Sequence, residues 1–174
     1  MKLRILAVGR IKGGPEATLI AEYARRLQWP LTVEEVEERR PLNGSELKAR
    51  EADLLSQALD KGAAKASGQK SSGQKSPGQK SSGQRILVAL DERGRQLGSR
   101  DFAQKLGNWR DQGAAEIAFV IGGADGLAEQ LRQRADLILS LGQMTWPHML
   151  ARAMLVEQIY RAQQILAGHP YHRD

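Results

Sequence analysis

The last seven residues of the chain combine side chains that could hold a nucleotide. They read Gly168-His169-Pro170-Tyr171-His172-Arg173-Asp174. An aromatic ring can stack on a base, and a guanidinium can hold a phosphate or a developing anion. A metal site is not indicated, because Pro170 breaks any helical spacing between the histidines and no carboxylate cluster is nearby. We therefore expect no metal and take Tyr171, His172 and Arg173 as candidate functional residues.

Three loops that follow predicted strands form a second candidate site. They are residues 90–94, 122–126 and 141–148, and open α/β sheets bind ligands at the carboxyl ends of their strands. The glycines of the middle loop match neither Gly-x-Gly-x-x-Gly nor a P-loop, so a dinucleotide fingerprint and a phosphate-binding loop are excluded. A glycine pair after a buried strand lets a flat ligand approach closely. The alternative is an ordinary strand-to-helix turn.

The hydrophobic pattern indicates which elements position these loops. Apolar runs predict strands at residues 3–8, 31–36, 86–90, 117–121 and 137–141, and helical spacing predicts helices at 15–27, 45–58, 99–112, 127–135 and 148–167. Ser99 is the predicted N-cap of the third helix. This alternation predicts an α/β fold with a mostly parallel sheet and helices on both faces.

The last predicted helix is apolar on two sides. Leu155 and Ile159 lie in one broad arc, and the opposite side carries Leu150, Met154 and Ile165. A helix with two apolar sides needs two packing partners. We interpret these partners as the sheet and a second copy of the chain, related by a two-fold axis.

Arg152 lies within the main apolar arc of that helix. A lone arginine is costly there unless it is paired or liganded. It either forms an ion pair with a buried carboxylate or presents its guanidinium at the mouth of an active site.

A basic repeat interrupts the alternating pattern. Residues 65–85 carry five Lys or Arg and no acidic residue, which accounts for most of the net charge of +6. The segment contains four copies of a pentapeptide that begins Ser-Gly-Gln-Lys or a variant of it. These copies have no apolar side chain to bury, so we interpret residues 65–85 as a flexible surface insertion. The alternative is a basic arm that tracks phosphates. Outside this segment the chain is nearly neutral, and bulk charge does not argue for RNA binding.

Length and composition bound the remaining possibilities. The 174 residues suit a single domain, 1–174, and the chain has no cysteine. This excludes thiolate chemistry and disulfides and fits a reducing compartment. The start of the chain enters a strand pattern directly, and no apolar run has the length of a membrane span. We expect a cytoplasmic protein that does not enter a membrane.

Several motifs together resemble a known family. Ile121-Gly122-Gly123, Met144-Thr145-Trp146-Pro147-His148, the helix 155–162 and the terminal His-Pro-Tyr-His-Arg are similar to the ribosomal RNA large subunit methyltransferase H family. The resemblance covers the chain apart from residues 65–85. It implies a SPOUT fold with a C-terminal trefoil knot, an exception to the rule against knots. It also implies a homodimer that uses S-adenosylmethionine to methylate N3 of a pseudouridine in 23S ribosomal RNA.

The resemblance also assigns roles to residues of this chain. Its cofactor contacts fall on Leu90, Gly122, Leu141, Gly142, Gln143, Met144, Thr145 and Trp146. The backbone of 141–146 would hold the adenine, and Gly122 would leave room for the ribose and methionine. The tail would lie over the partner's pocket. The insertion and the pair Ala124-Asp125 depart from the family pattern.

Methyl transfer to an imide nitrogen requires alignment and stabilisation of the imide anion. We expect Arg173 or Arg152 to stabilise that anion and His172 to position the base or relay its proton. The nearly neutral fold favours the assembled ribosome over free RNA as substrate. The alternative function is a non-catalytic α/β protein that binds the ribosome.

Overall fold

The chain alternates strands and helices throughout the part that the computed structural model describes, residues 1–67 and 83–172. The elements in chain order are β1 (Lys2–Val8), α1 (Pro15–Arg26), β2 (Leu31–Val36), α2 (Gly44–Ser67), β3 (Arg85–Gln96), α3 (Ser99–Asp111), β4 (Glu116–Ile121), α4 (Glu129–Gln133), β5 (Leu137–Ser140) and α5 (His148–Leu166). Among these residues, no helix is both long enough and apolar enough to cross a membrane.

The five strands form one parallel sheet in the order β2-β1-β4-β3-β5. Odd- and even-numbered residues of β1 face opposite sides of the sheet, because successive side chains of a strand alternate between its two faces. Leu3 and Ile5 belong to a core cluster with α1, α3 and α5, whereas Leu6 and Val8 belong to one with α2 and α4. The predicted fold class, a mostly parallel sheet with helices on both faces, is confirmed. The trefoil knot stays a prediction.

Helix α5 packs against both α1 and α3 within the same chain. Leu155 and Ile159 are completely buried in the first core cluster. Ile165, placed on the second apolar side, also packs partly against this cluster. Leu150 and Met154 remain half-buried. The expected dimer face therefore rests on these two residues, because Leu155 and Ile159 belong to the core of a single chain.

Three element ends differ from the sequence prediction, and the largest difference is in α2, which runs to Ser67, nine residues beyond its predicted end at Ala58. The N-cap of α3 is Gly98, and Ser99 instead donates its hydroxyl hydrogen to Gln158 of α5 over 2.9 Å. The predicted Ser99 cap is therefore wrong, since its hydroxyl bridges two helices. Strand β3 continues to Gln96, six residues beyond its predicted end.

The predicted insertion at 65–85 is bounded by regular structure on both sides. Helix α2 extends to Ser67, and β3 begins at Arg85, whose guanidinium lies 2.5 Å from Glu116 on β4. Residues 68–82, where most of the repeat falls, lie outside the described residues. The flexibility of the insertion and the single-domain assignment stay predictions.

Candidate active site

A cavity of about 560 Å³ lies at the carboxyl ends of β3, β4 and β5. This volume is in the range of small-molecule sites, about 300–1,000 Å³. The three predicted loops supply most of its wall. Its lining residues include Leu90, Gly122, Leu141, Gly142, Met144, Thr145 and Trp146, seven of the eight residues predicted to bind the cofactor. Gln143 does not line the cavity.

The first wall comes from an irregularity inside β3 rather than from a loop after it. Leu90 and Arg95 both pair with Leu139 of β5, so the residues between them leave the ladder, and three of these, residues 91–93, line the cavity. Asp91 holds this excursion: one carboxylate oxygen accepts the Arg93 N–H at 3.0 Å, and the other accepts Arg132 of α4 at 3.0 Å. The ion pair is largely buried, with side-chain exposures of 7% and 13%.

The glycine turn after β4 forms the second wall. The Gly126 N–H donates to the Gly123 carbonyl over 3.1 Å, which closes the turn. A Cβ on Gly122 would lie 2.6 Å from the carbonyl carbon of Gly126. Gly122 is therefore required by the close approach of its own turn. Gly122 also lines the cavity, and its predicted contact with the ribose and methionine stays a prediction.

Helix α2 fixes the same turn through two side chains, of which Lys48 also lines the cavity. The buried carboxylate of Glu51 accepts the Gly123 N–H, and Lys48 donates to the Asp125 carbonyl over 2.9 Å. Burial raises the pKa of Glu51, and the nearby charge of Asp125 raises it further. Neither anchor was predicted from the sequence, since Lys48 and Glu51 are each more than 70 residues from the turn.

The segment after β5 forms the third wall. The Ser140 hydroxyl is 2.8 Å from the Gly142 carbonyl oxygen and 3.2 Å from the Gly142 nitrogen, and Gly142 has a φ of +141° that suits glycine. Two large apolar side chains of this segment remain accessible, Met144 at 69% and Trp146 at 37% exposure. The cavity mouth thus has an apolar rim.

Arg152 is completely buried and does not itself line the cavity, although its neighbours His148 and Ala151 do. It donates to Glu35 of β2 at 2.9 Å, to the Gly9 carbonyl at 2.9 Å and to the Val8 carbonyl. Of the two interpretations of Arg152, this geometry favours the ion pair with a carboxylate. A catalytic role for Arg152 stays a prediction.

His148, the first residue of α5, does line the cavity. Burial lowers its pKa, and the adjacent positive charge of Arg152 lowers it further. Its imidazole is therefore neutral near pH 7, since the ordinary value is 6.5. The described residues contain no group of three or more side chains that could hold a metal ion.

The tail lies away from the cavity of its own chain. Tyr171 contacts Glu157 and Arg161 of α5. Nine residues separate Glu157 from His148 at the cavity, roughly 14 Å along a helix. The structure therefore brings the predicted cofactor residues together but leaves Tyr171 and His172 elsewhere. Arg173, the fourth predicted catalytic residue, lies outside the described residues.

Comparisons with known proteins identify the family of the chain. A family model described as "Predicted SPOUT methyltransferase" matches residues 1–172. The chain is 58% identical over 173 residues to ribosomal RNA large subunit methyltransferase H of Rhodospirillum centenum, with 99% of each chain covered. It is 52% identical over 173 residues to the protein of that name from Paramagnetospirillum magneticum, again with 99% of each covered.

Solved structures agree on the fold. The SpoU methyltransferase AviRb from Streptomyces viridochromogenes, solved in complex with AdoMet, superposes with a TM-score of 0.50 at 15% identity. The superposition covers 95% of this chain and 58% of AviRb. Three observations support the same family: the strand order of the sheet, the cavity at its carboxyl edge and two full-length relatives above 50% identity. The chain belongs to the ribosomal RNA large subunit methyltransferase H family of SPOUT methyltransferases.

Proposed function

We propose that this protein transfers a methyl group from S-adenosylmethionine to N3 of a pseudouridine in 23S ribosomal RNA. The observation that carries the proposal is the cavity, where three separate segments converge and seven of the eight residues expected to contact the cofactor meet. Chains with the same full-length organisation are named for ribosomal RNA methylation. Because ribosomal RNA is the proposed substrate, we expect the protein to act in the cytoplasm.

The cavity lining fits the chemistry of this cofactor. Leu90, Ile121 and Trp146 offer apolar surface for an adenine ring. Asp125 and Lys48 line the cavity with side chains of opposite sign, which suit a ligand that carries both a carboxylate and an ammonium group, whereas Asp91 and Arg132 are paired with each other. S-adenosylmethionine supplies a methyl group on a positively charged sulfonium when it is bound. Because Ser140 already engages both backbone groups of Gly142, other residues of 141–146 would hydrogen-bond the adenine.

The side chains must then favour the imide anion and accept its proton. A guanidinium beside the uracil oxygens stabilises the negative charge, and an imidazole nitrogen can take the N3 proton. We assign the first role to Arg173 and the second to His172, with Tyr171 anchoring the tail that carries them. Arg152 is the alternative anion partner, but its guanidinium is committed to Glu35 and two carbonyls.

These roles require a homodimer in which each tail completes the partner's cavity. Within one chain the tail is docked on α5, roughly 14 Å from the cavity. Leu150 and Met154 are half-buried on α5 and suit an interface with a second copy. Met154→Asp should therefore yield monomers in light scattering, without loss of the core.

The central experiment measures methyl transfer from labelled S-adenosylmethionine to ribosomes. We expect incorporation into assembled ribosomes, little into free 23S RNA, and none into ribosomes that carry uridine in place of the pseudouridine. Calorimetry should show binding of S-adenosylmethionine to the protein alone. Failure to bind the cofactor, or equal labelling of ribosomes with uridine, would overturn the proposal.

A mixed dimer tests where the tail acts. One chain ends after Gly168, and the other carries Thr145→Trp, which fills the cavity at an exposed position. Each homodimer should be inactive. A heterodimer regains activity only if an intact tail reaches an intact cavity on the other chain, and no recovery would place the tail over its own cavity.

A further inference from the structure

Tyr171 is held by four side chains from α1 and α5. Its ring lies edge-on to Tyr160, with centroids 4.9 Å apart, and under the Arg161 guanidinium, 4.9 Å from the ring centroid. Its hydroxyl donates to Glu157 over 3.0 Å and lies 3.4 Å from the Tyr23 hydroxyl. We call Tyr23, Glu157, Tyr160 and Arg161 the tyrosine clamp.

Glu157 is the centre of the clamp. The same carboxylate oxygen accepts the Tyr171 hydroxyl and Arg161, the latter at 2.5 Å. Its second oxygen accepts Gln158 at 2.7 Å. The Glu157 side chain is only 18% exposed, so this carboxylate is oriented from several sides and largely shielded from water.

The clamp reaches one residue further along the tail. Arg161 places one guanidinium nitrogen against Glu157 and the other 3.5 Å from Nδ1 of His172. The backbone of the tail is also turned, because the Tyr171 N–H donates to Nδ1 of His169 over 3.2 Å. Burial and its hydroxyl contacts raise the pKa of Tyr171, so its phenol remains a donor to the carboxylate.

We propose that Glu157 and Arg161 are positioning residues that lock Tyr171 onto α5 and thereby fix His172 for methyl transfer. The inference rests on the proposed function, in which the tail carries the reacting groups. Neither residue lines the cavity of its own chain. They act through the tail, and a displacement of about 1 Å in a reacting group can lower a rate by about 100-fold.

The chain offers a matched control for this arrangement. Glu22 and Arg26 on α1 form an ion pair with the same four-residue spacing as Glu157 and Arg161, but both are 42% exposed. The same substitution in the two pairs separates loss of a helix ion pair from loss of the clamp.

The experiment compares Glu157→Leu, Glu157→Gln and Glu22→Leu in the full-length protein. Hydrogen exchange of the amides of His169, Tyr171 and His172 reports the docking of the tail, and calorimetry reports cofactor affinity. We expect Glu157→Leu to speed that exchange at least about tenfold and to lower kcat at least about tenfold, with Kd for S-adenosylmethionine within about twofold. Glu157→Gln keeps an acceptor oxygen and should recover most of kcat. Glu22→Leu should match the wild type.

Each contrary result has a distinct meaning. Unchanged exchange in Glu157→Leu would overturn the clamp, and faster exchange with an intact kcat would overturn the positioning role. If Glu157→Leu fails to fold, Tyr171→Phe removes only the hydroxyl, and unchanged exchange there would again overturn the clamp. A wild-type protein that transfers no methyl group would overturn the proposed function itself, while the exchange data still show whether the clamp holds the tail.

Discussion

Removing Glu35 should expose how far the fold depends on the buried charge of Arg152. The Arg152 side chain is 1% exposed, and that of Glu35 is 26% exposed. Without the carboxylate, the guanidinium keeps only the Val8 and Gly9 carbonyls as partners. Loss of one partner of a fully buried pair costs about 3–5 kcal/mol. Because water reaches Glu35, we expect Glu35→Ala to lower the free energy of unfolding by about 2–3 kcal/mol.

This loss corresponds to a fall in Tm of roughly 4–12 °C for a chain of this size. Urea unfolding followed by circular dichroism measures the free energy directly. The surface pair of Arg10 and Glu37 provides the control, with a separation of 3.6 Å and exposures of 52% and 39%. Glu37→Ala should cost less than about 1 kcal/mol.

Two results would refute this reasoning. If Glu35→Ala costs no more than Glu37→Ala, the ion pair does not stabilise the fold. If Arg152→Met leaves stability and cofactor affinity intact but abolishes methyl transfer, Arg152 is a catalytic residue, which is one of the two interpretations that the sequence left open. If activity instead falls in proportion to the fraction of folded protein, the role of Arg152 is structural.

Four further predictions concern the site and the insertion. Burial and Arg152 lower the pKa of His148 in the folded protein, so below about pH 6.5 the unfolded chain binds this proton more readily and acid destabilises the fold. His148→Gln should therefore make Tm fall less as the pH is lowered. Burial and Asp125 raise the pKa of Glu51, so its ionised form disfavours the fold at pH 7; Glu51→Gln should raise Tm there, with the gain vanishing toward pH 4. In Gly94→Ala the Cβ would lie 2.7 Å from the Ile138 backbone, and urea unfolding should show a loss of about 1–3 kcal/mol. Replacing residues 68–82 by a short glycine-serine linker should leave Tm and cofactor affinity nearly unchanged, with weaker salt dependence of ribosome binding.

The sequence predicted the elements well because their signals are local. Continuous apolar runs located the three strands of the second half, and β2, a mixed sequence, was predicted at the residues where it is found. The excursion within β3 was missed, since nothing in Asp91-Glu92-Arg93-Gly94 tells a loop from a strand that leaves its ladder and returns. That distinction depends on the pairing of Leu90 and Arg95 with the same residue of β5.

The partners of the site residues could not be predicted, because they are distant in sequence. An arginine in an apolar arc predicts a carboxylate partner, but the chain has 20 acidic residues and no local rule selects Glu35 among them. Tyr171 likewise meets Tyr23 across 148 residues. The glycine turn was located from the sequence, whereas its anchor Glu51 was not.

The two adjacent glutamates of β2 form ion pairs on opposite faces of the sheet, although β2 is an edge strand. Successive strand residues point to opposite sides. Glu34 therefore meets Arg4 on the side of α2, at 3.0 Å, and Glu35 meets Arg152 on the side of α5. Both arginines are buried. One dipeptide thus supplies a carboxylate to a buried cation in each layer of helices, and Arg4 also pairs with Glu116 at 3.3 Å.

The second of these pairs also reaches the cavity. Through the Val8 and Gly9 carbonyls, Arg152 ties the end of β1 to the first turns of α5. His148 and Ala151 of those turns line the cavity. A Cβ on Gly9 would lie 3.2 Å from the His148 imidazole, so the contact leaves little space for adjustment. The ion pair that stabilises the core therefore also sets one wall of the site, and Arg152 can influence methyl transfer without touching either reactant.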